Sequence, residues 1–260
     1  MSGREEPGRG VRGDGPVPPE DEPGVAGAGA TEDQEPGEPP FRLLGSRRPF
    51  AGELLRVRVD RIAGPDGRSG SREVVEHPGA VAALAIDQQG LLLLVDQWRH
   101  AVGARVLEIP AGKYDVRQET VEQTLRRELA EELGVEGGPL TWLATFYTTP
   151  GWSDEVVDLY LAEGVRPLAG EAPPRDWEEA GIRVLRVPFE QAVQAATRAN
   201  PGDSKTLVAL GLYGLWRAGA WAPDPAGGPP PDAPRRRAAA RPPARPPDGS
   251  VPPDPAATVS

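Results

Sequence analysis

Two runs of apolar residues, Ala80 to Ile86 and Leu91 to Val95, flank the polar tetrapeptide Asp87-Gln88-Gln89-Gly90. A strand with one wet face alternates apolar and polar side chains, whereas a strand apolar at every position has no face to give to water. The pair therefore reads as two buried strands joined by a turn, and the rest of the chain must cover them. Material for that core lies in about 180 residues, Phe41 to Trp221, which hold nearly all the Leu, Val, Ile and aromatic side chains. The ends cannot supply it: glycine and proline make up about a quarter of the chain, 32 residues each, and their excess sits mainly in residues 1–40 and 222–260. The expectation is one domain over 41–221 between two disordered tails, acidic and Gly/Pro-rich at the N-terminus and Pro/Ala/Arg-rich at the C-terminus.

The formal net charge is −10, much of it from the acidic first 40 residues, which argues against nucleic-acid binding. Arg235-Arg236-Arg237 reads as part of a solvated tail. Cysteine is absent, which removes both a disulfide framework and thiol chemistry. The polar N-terminus lacks the apolar stretch of a secretory signal, and no apolar run reaches the roughly 18 residues of a membrane span. A soluble cytoplasmic protein with no membrane or nucleic-acid partner is expected.

Around the central pair, Glu53 to Asp60 alternates apolar and charged residues and is followed by the turn signal Gly64-Pro65-Asp66-Gly67, which predicts a hairpin. Val106 to Ile109 predicts a short strand that breaks at Pro110-Ala111-Gly112 into a loop. Val121, Leu125, Leu129 and Leu133 recur every four residues and predict a helix over Glu119 to Leu133, with Gly134 as its stop. Strands follow at Leu140 to Tyr147, Val156 to Leu161 and Ile182 to Val187. Two helices close the domain, Phe189 to Ala199 and Ser204 to Trp216, the second capped by Asp203. This order is not a βαβ alternation; it predicts an α+β domain with a mixed sheet.

The first helix carries the most informative residues. On a wheel of about 100° per residue its apolar stripe spans roughly 120°, and Glu128 and Glu132 project within about 20° of the Val121 edge. Glu131 lies on the adjacent shoulder. Like charges one turn apart repel, and apolar surroundings add desolvation. A hard divalent cation would offset both, and Mg²⁺ prefers a few carboxylates together with phosphate oxygens. An ordinary solvated acidic face paired with Arg126 and Arg127 is the alternative.

The segment G-K-Y-D-V-R-Q-E-T-V-E-Q-T-L-R-R-E-L-A-E-E-L-G-V, Gly112 to Val135, resembles the Nudix box, G-x5-E-x7-R-E-U-x-E-E-x-G-U with U apolar. From Glu119 onward the match is complete: Arg127, Glu128, Leu129, Glu131, Glu132, Gly134 and Val135 all fall in register. Upstream, six residues rather than five separate Gly112 from Glu119, and Gln118 stands where a glycine often precedes the glutamate. Further segments extend the likeness over roughly Gly45 to Leu215: E-H-P-G-A-V-A, L-L-V-D-Q-W-R-H, L-E-I-P-A-G, P-G-W-S-D-E, D-W-E-E and D-S-K-T-L. Together they resemble the ADP-ribose pyrophosphatase branch of the Nudix hydrolases.

That resemblance implies a Nudix-type α/β/α sandwich with a mixed sheet, preceded by an N-terminal hairpin within 41–75 that helps to form a homodimer. It implies Mg²⁺, with Mn²⁺ as an alternative, held by Glu128 and Glu132, with Glu131 assisting and the Ala111 carbonyl as a backbone ligand. Arg127 would orient a carboxylate. The general base would come from a later loop, with Glu178, Glu179 and Glu155 as candidates. Arg99 would pair with a phosphate, Glu108 would accept hydrogen bonds from adenine or ribose, and Trp98 would stack on the base or serve as a core or interface aromatic. His77 reads as structural and His100 as a rim residue. The implied reaction is Mg²⁺-dependent hydrolysis of ADP-ribose, or a related nucleotide sugar, to AMP and a sugar phosphate. Alternatives are a pyrophosphatase for another nucleoside diphosphate derivative and a catalytically silent ADP-ribose-binding module.

Overall fold

The computed structural model describes residues 39–52, 54–114, 119–171, 173, 181–199 and 201–230. In chain order the strands are β1 (Arg42–Ala51), β2 (Arg56–Ala63), β3 (Ser69–Glu76), β4 (Ala80–Asp87), β5 (Leu92–Arg99), β6 (Ala104–Glu108), β7 (Ala111–Lys113), β8 (Val135–Glu136), β9 (Leu140–Tyr147), β10 (Val156–Pro167) and β11 (Arg183–Val187). The helices are α1 (Val121–Glu128), continued by a π-helical turn over Leu129–Leu133, then α2 (Phe189–Arg198) and α3 (Ser204–Arg217).

The two apolar runs became β4 and β5, joined by the expected turn with Gly90 at φ 78°. All eight residues of β4 are buried. Their side chains alternate between two cores: Ala80, Ala82, Leu84 and Ile86 meet Ala192, Ala196, Ala209 and Leu210 of α2 and α3. Val81, Ala83 and Ala85 meet Leu125, Leu129 and Leu133 of α1 and its π turn. Helices on both faces explain why the strand is apolar throughout, and they make the domain an α/β/α sandwich. The eight-stranded sheet is mixed: β4 pairs with β10 in parallel and with β5 and β7 antiparallel.

The predicted hairpin is β2 and β3, turned at Gly64–Gly67, where Gly64 N–H donates to the Arg68 carbonyl at 2.8 Å. A further strand, β1, lies along the outer edge of β2, so the N-terminal element is a three-stranded sheet. A second difference falls at Pro110. The chain does not pass straight into a loop: Ala111–Lys113 forms β7, paired with β4. Beyond α3, Trp221 packs on the core, and a Cβ added to Gly227 would stand 3.0 Å from the Trp142 ring. Most of both tails lies outside the described residues. Among the described residues no helix is long and apolar enough to cross a membrane.

Candidate active site

The glutamate helix starts at a reciprocal cap. The Thr120 hydroxyl accepts from Gln123 N–H at 3.2 Å, and the Gln123 side chain accepts from Thr120 N–H at 2.8 Å. Leu125, Leu129 and Leu133 anchor the helix in the core, and Gly134 ends it in the left-handed conformation at φ 68°. The expected single helix changes character at Leu129, where the wider π turn begins; such turns often occur at functional sites.

Glu128 and Glu132 are 6% and 4% exposed, on the side of the helix that abuts β7. One Glu132 carboxylate oxygen accepts from Ala111 N–H at 3.1 Å. Glu128 lies so close over Gly112 that a Cβ there would stand 1.9 Å from its carboxyl carbon. Only glycine leaves room for this carboxylate.

Arg127 gathers the other acids. Its Nη1 lies 2.8 Å from both Glu128 and Glu131, and its Nε donates to Glu119 at 3.2 Å. Burial works against the guanidinium charge, but Glu128, Glu119 and Glu131 outweigh it and hold its pKa above the ordinary arginine value. Glu119 also accepts from the Thr124 hydroxyl at 3.0 Å. Among the described residues no three acidic or histidine side chains converge closely enough, as they stand, to hold a metal ion. The donor chemistry nevertheless fits a hard cation: three carboxylates gather around one arginine and a fourth, Glu132, accepts from the Ala111 backbone, with Glu128 over backbone that only a glycine permits.

The candidate substrate residues have partners within the chain. Arg99 forks onto Glu108 at 2.6 and 2.8 Å, and Lys205 reaches the same carboxylate at 3.1 Å. Glu108 is 2% exposed and Trp98 is 53% exposed. Trp98 is therefore not a core residue. Glu155 follows the β9–β10 turn; it accepts from the Thr148 hydroxyl at 2.6 Å and lies 3.5 Å from His77 Nδ1. Burial pushes the His77 pKa down, and the same Nδ1 accepts from Gly79 N–H at 3.1 Å, as neutral imidazole should. His77 N–H also donates to Asp154 at 2.8 Å, which fixes this corner. An open cleft of about 250 Å³ lies beside it, lined by Val74, Tyr147, Pro150, Trp152 and Asp154 among others. His100 is exposed. Glu178 and Glu179 lie outside the described residues.

Two residues around the site had no role assigned from sequence, Lys205 and Thr206, while Asp203 is the helix cap expected, accepting from Thr206 N–H at 2.9 Å. The segment D-S-K-T-L stood out only as a likeness, and the residues it touches lie 97 positions away. Local patterning carries no signal of such a contact.

Known proteins resemble this chain in sequence and in fold. Residues 76–210 match the family model for the NUDIX domain. The ADP-ribose pyrophosphatase of Bacillus subtilis (strain 168) is 36% identical over 169 residues, 65% of this chain and 90% of that protein. The methanol dehydrogenase activator of Bacillus methanolicus is 35% identical over 169 residues, with the same two shares. A crystal structure of an ADP compounds hydrolase superposes with a TM-score of 0.57 at 20% identity, covering 69% of this chain and 95% of its own, and so shares the fold. With more than half of its length matched and the glutamate helix intact from Glu119 to Val135, the chain belongs to the NUDIX domain family.

Proposed function

We propose that the chain hydrolyses the pyrophosphate bond of ADP-ribose, or of a closely related ADP-sugar, to AMP and a sugar phosphate. The observation that carries this reading is the pair of buried carboxylates, Glu128 and Glu132, turned onto the backbone of Gly112 and Ala111. Relatives named as ADP-ribose pyrophosphatases support the choice of substrate. Glu128 and Glu132, with Glu131 and the Ala111 carbonyl, are the groups that would hold Mg²⁺ or Mn²⁺. When bound, such an ion neutralises pyrophosphate oxygens, stabilises the leaving phosphate and lowers the pKa of the attacking water.

The protein's own part is positioning and proton transfer. Arg127 keeps Glu119, Glu128 and Glu131 together, so the carboxylates do not splay under mutual repulsion. Glu155, oriented by the Thr148 hydroxyl, is the base candidate among the described residues, beside the candidates Glu178 and Glu179 outside them. Arg99, its side chain 41% exposed, is placed to meet a phosphate, and Glu108 sets its orientation. Trp98 offers an exposed ring for the base. A cytoplasmic homodimer, formed through the N-terminal sheet, is the state that accompanies this reading.

The test is incubation of purified protein with Mg²⁺ or Mn²⁺ and a panel of ADP-ribose, other ADP-sugars and a guanosine diphosphate sugar. AMP and ribose 5-phosphate should appear from ADP-ribose; turnover of the guanosine compound alone would move the substrate class. Glu132→Gln should remove most turnover in a folded protein. A parent chain without turnover whose ADP-ribose binding survives Glu132→Gln would favour the silent binding module instead.

A further inference from the structure

Between β6 and β7 the chain changes neighbours, from β5 to β4. Two residues make the crossing, Ile109 and Pro110, and neither belongs to a strand. Pro110 has no N–H to give, and its carbonyl accepts from Ala83 N–H at 3.1 Å. Ile109 N–H donates to the hydroxyl of Thr206 at 2.8 Å, across 97 residues of sequence. The next N–H, that of Ala111, goes to Glu132. The crossing is thus pinned at three successive points by α3, β4 and the glutamate helix.

Thr206 is fully buried, and its hydroxyl is used in both directions. It accepts from Ile109, so its single proton goes to Asp203 Oδ2 at 2.7 Å. The same oxygen takes Thr206 N–H at 2.9 Å, which caps α3, while Oδ1 takes Lys205 Nζ at 2.7 Å. Lys205 continues to Glu108, the residue before Ile109. The first turn of α3 therefore grips the backbone of Ile109 and the side chain of Glu108 together. Only Pro110, with its ring-fixed φ, separates that grip from Ala111.

From this geometry we infer that Thr206, supported by Asp203 and Lys205, is a positioning residue that sets the Pro110–Ala111 backbone against Glu132 and Gly112 against Glu128. It acts on the proposed metal-binding carboxylates through the β6–β7 crossing, and the inference rests on the reading of those carboxylates given above. Groups behind a ligand set commonly change metal affinity or activity by about 10–100-fold when removed.

The experiment compares the parent chain with Thr206→Val, Thr206→Ser and Lys205→Met. Mn²⁺ affinity is read by electron paramagnetic resonance and the exchange rate of the Ala111 amide by NMR, alongside kcat and KM for ADP-ribose. Thr206→Val should weaken Mn²⁺ binding and lower kcat by about tenfold or more, speed Ala111 exchange, and leave KM within about twofold. Thr206→Ser should restore all three readouts. Lys205→Met should give a smaller change in the same direction and decides the matter if Thr206→Val does not fold. Parent-like Mn²⁺ affinity and Ala111 protection in folded Thr206→Val or Lys205→Met, even with a lowered melting temperature, would overturn the inference. A parent chain that binds Mn²⁺ but leaves ADP-ribose intact would instead sink the proposed substrate, with the first two readouts still deciding the role of Thr206.

Discussion

The N-terminal sheet and the central sheet are built from strands of similar length and held by opposite means. Every residue of β1 is exposed, while every residue of β4 is buried. β4 draws its stability from side chains on two faces. β1 to β3 rely on their ladders and on an ion cluster at one corner, where Arg48 and Arg58 both reach Glu76, at 2.9 and 2.8 Å. They are also stapled to the loop before β10: Val75 N–H donates to the Trp152 carbonyl at 2.8 Å, and Asp154 N–H returns to the Val75 carbonyl at 3.2 Å. A three-stranded sheet needs an apolar face or a packing partner for independent stability. Phe41, Leu43, Phe50 and Leu54 stand exposed on or beside β1 and β2, which is the physical reason to propose that a second copy covers this sheet.

The contrast is sharpest in what one added methyl group does. At Gly112 it collides with Glu128, whereas at Gly45 in β1 it meets nothing within 4 Å. Gly112→Ala should lower turnover by about 10–100-fold by displacing that carboxylate, and Gly45→Ala should leave turnover alone. Steady-state kinetics on the two purified variants checks this. Equal losses in both would mean that the close approach at Gly112 does not matter.

Truncation of a leucine comes next. Leu159 of β10 is fully buried between β4 and β9. Leu159→Ala should destabilise by about 2–5 kcal/mol through lost burial and a cavity. Leu43 is 58% exposed, and Leu43→Ala should change stability of the isolated chain by no more than about 0.5 kcal/mol. Urea denaturation at low protein concentration separates the two, because any copy-to-copy contact is then dissociated.

The same contrast governs what the sequence revealed. β4 and β5 were legible because two-sided burial leaves no polar position to hide the pattern. The helix was legible from its leucines, and the wheel put Glu128 and Glu132 beside the apolar stripe, where both are indeed buried. β1 was not legible: R-L-L-G-S-R-R-P-F-A does not alternate, and its extended form comes from pairing with β2. β7 is three residues long and owes its state to β4. The fork from Arg99 to Glu108 and the reach of Lys205 to the same acid depend on tertiary proximity, which no local period encodes.

Acid should loosen the N-terminal sheet before the central one. Hydrogen bonding from Arg48 and Arg58 outweighs burial and holds the Glu76 carboxyl below its usual range. A depressed carboxylate stabilises fully above its unfolded value, about 4.3 for glutamate, and that stabilisation is lost as pH falls through the lower folded value. Below about pH 4, amide protection in β2 and β3 should therefore fall while that of β4 persists. Glu76→Gln should make protection of the N-terminal sheet independent of pH through this window. A sheet that stays acid-labile in the variant would place the sensitive group elsewhere.

The smallest effect is expected at the far tip of the N-terminal sheet. Asp66 and Arg68 form an ion pair there, with side chains 48% and 89% exposed. The Arg68 hydrogen bond, joined by its backbone N–H, draws the Asp66 pKa below its ordinary value. A depressed carboxylate stabilises a fold only to the extent that the unfolded chain lacks the same interaction. These two residues are separated by one position, so the pair re-forms readily in the unfolded chain. The turn itself is closed by backbone bonds, Gly64 N–H to the Arg68 carbonyl and Gly67 N–H to the Gly64 carbonyl, which a change of side chain leaves in place. Arg68→Ala should therefore let the Asp66 pKa rise toward the ordinary aspartate value in an NMR titration while the melting temperature moves by less than about 1 °C. A clear drop in melting temperature would show that this tip contributes tertiary stability, and that the N-terminal sheet depends on its surface charges well beyond the corner at Glu76.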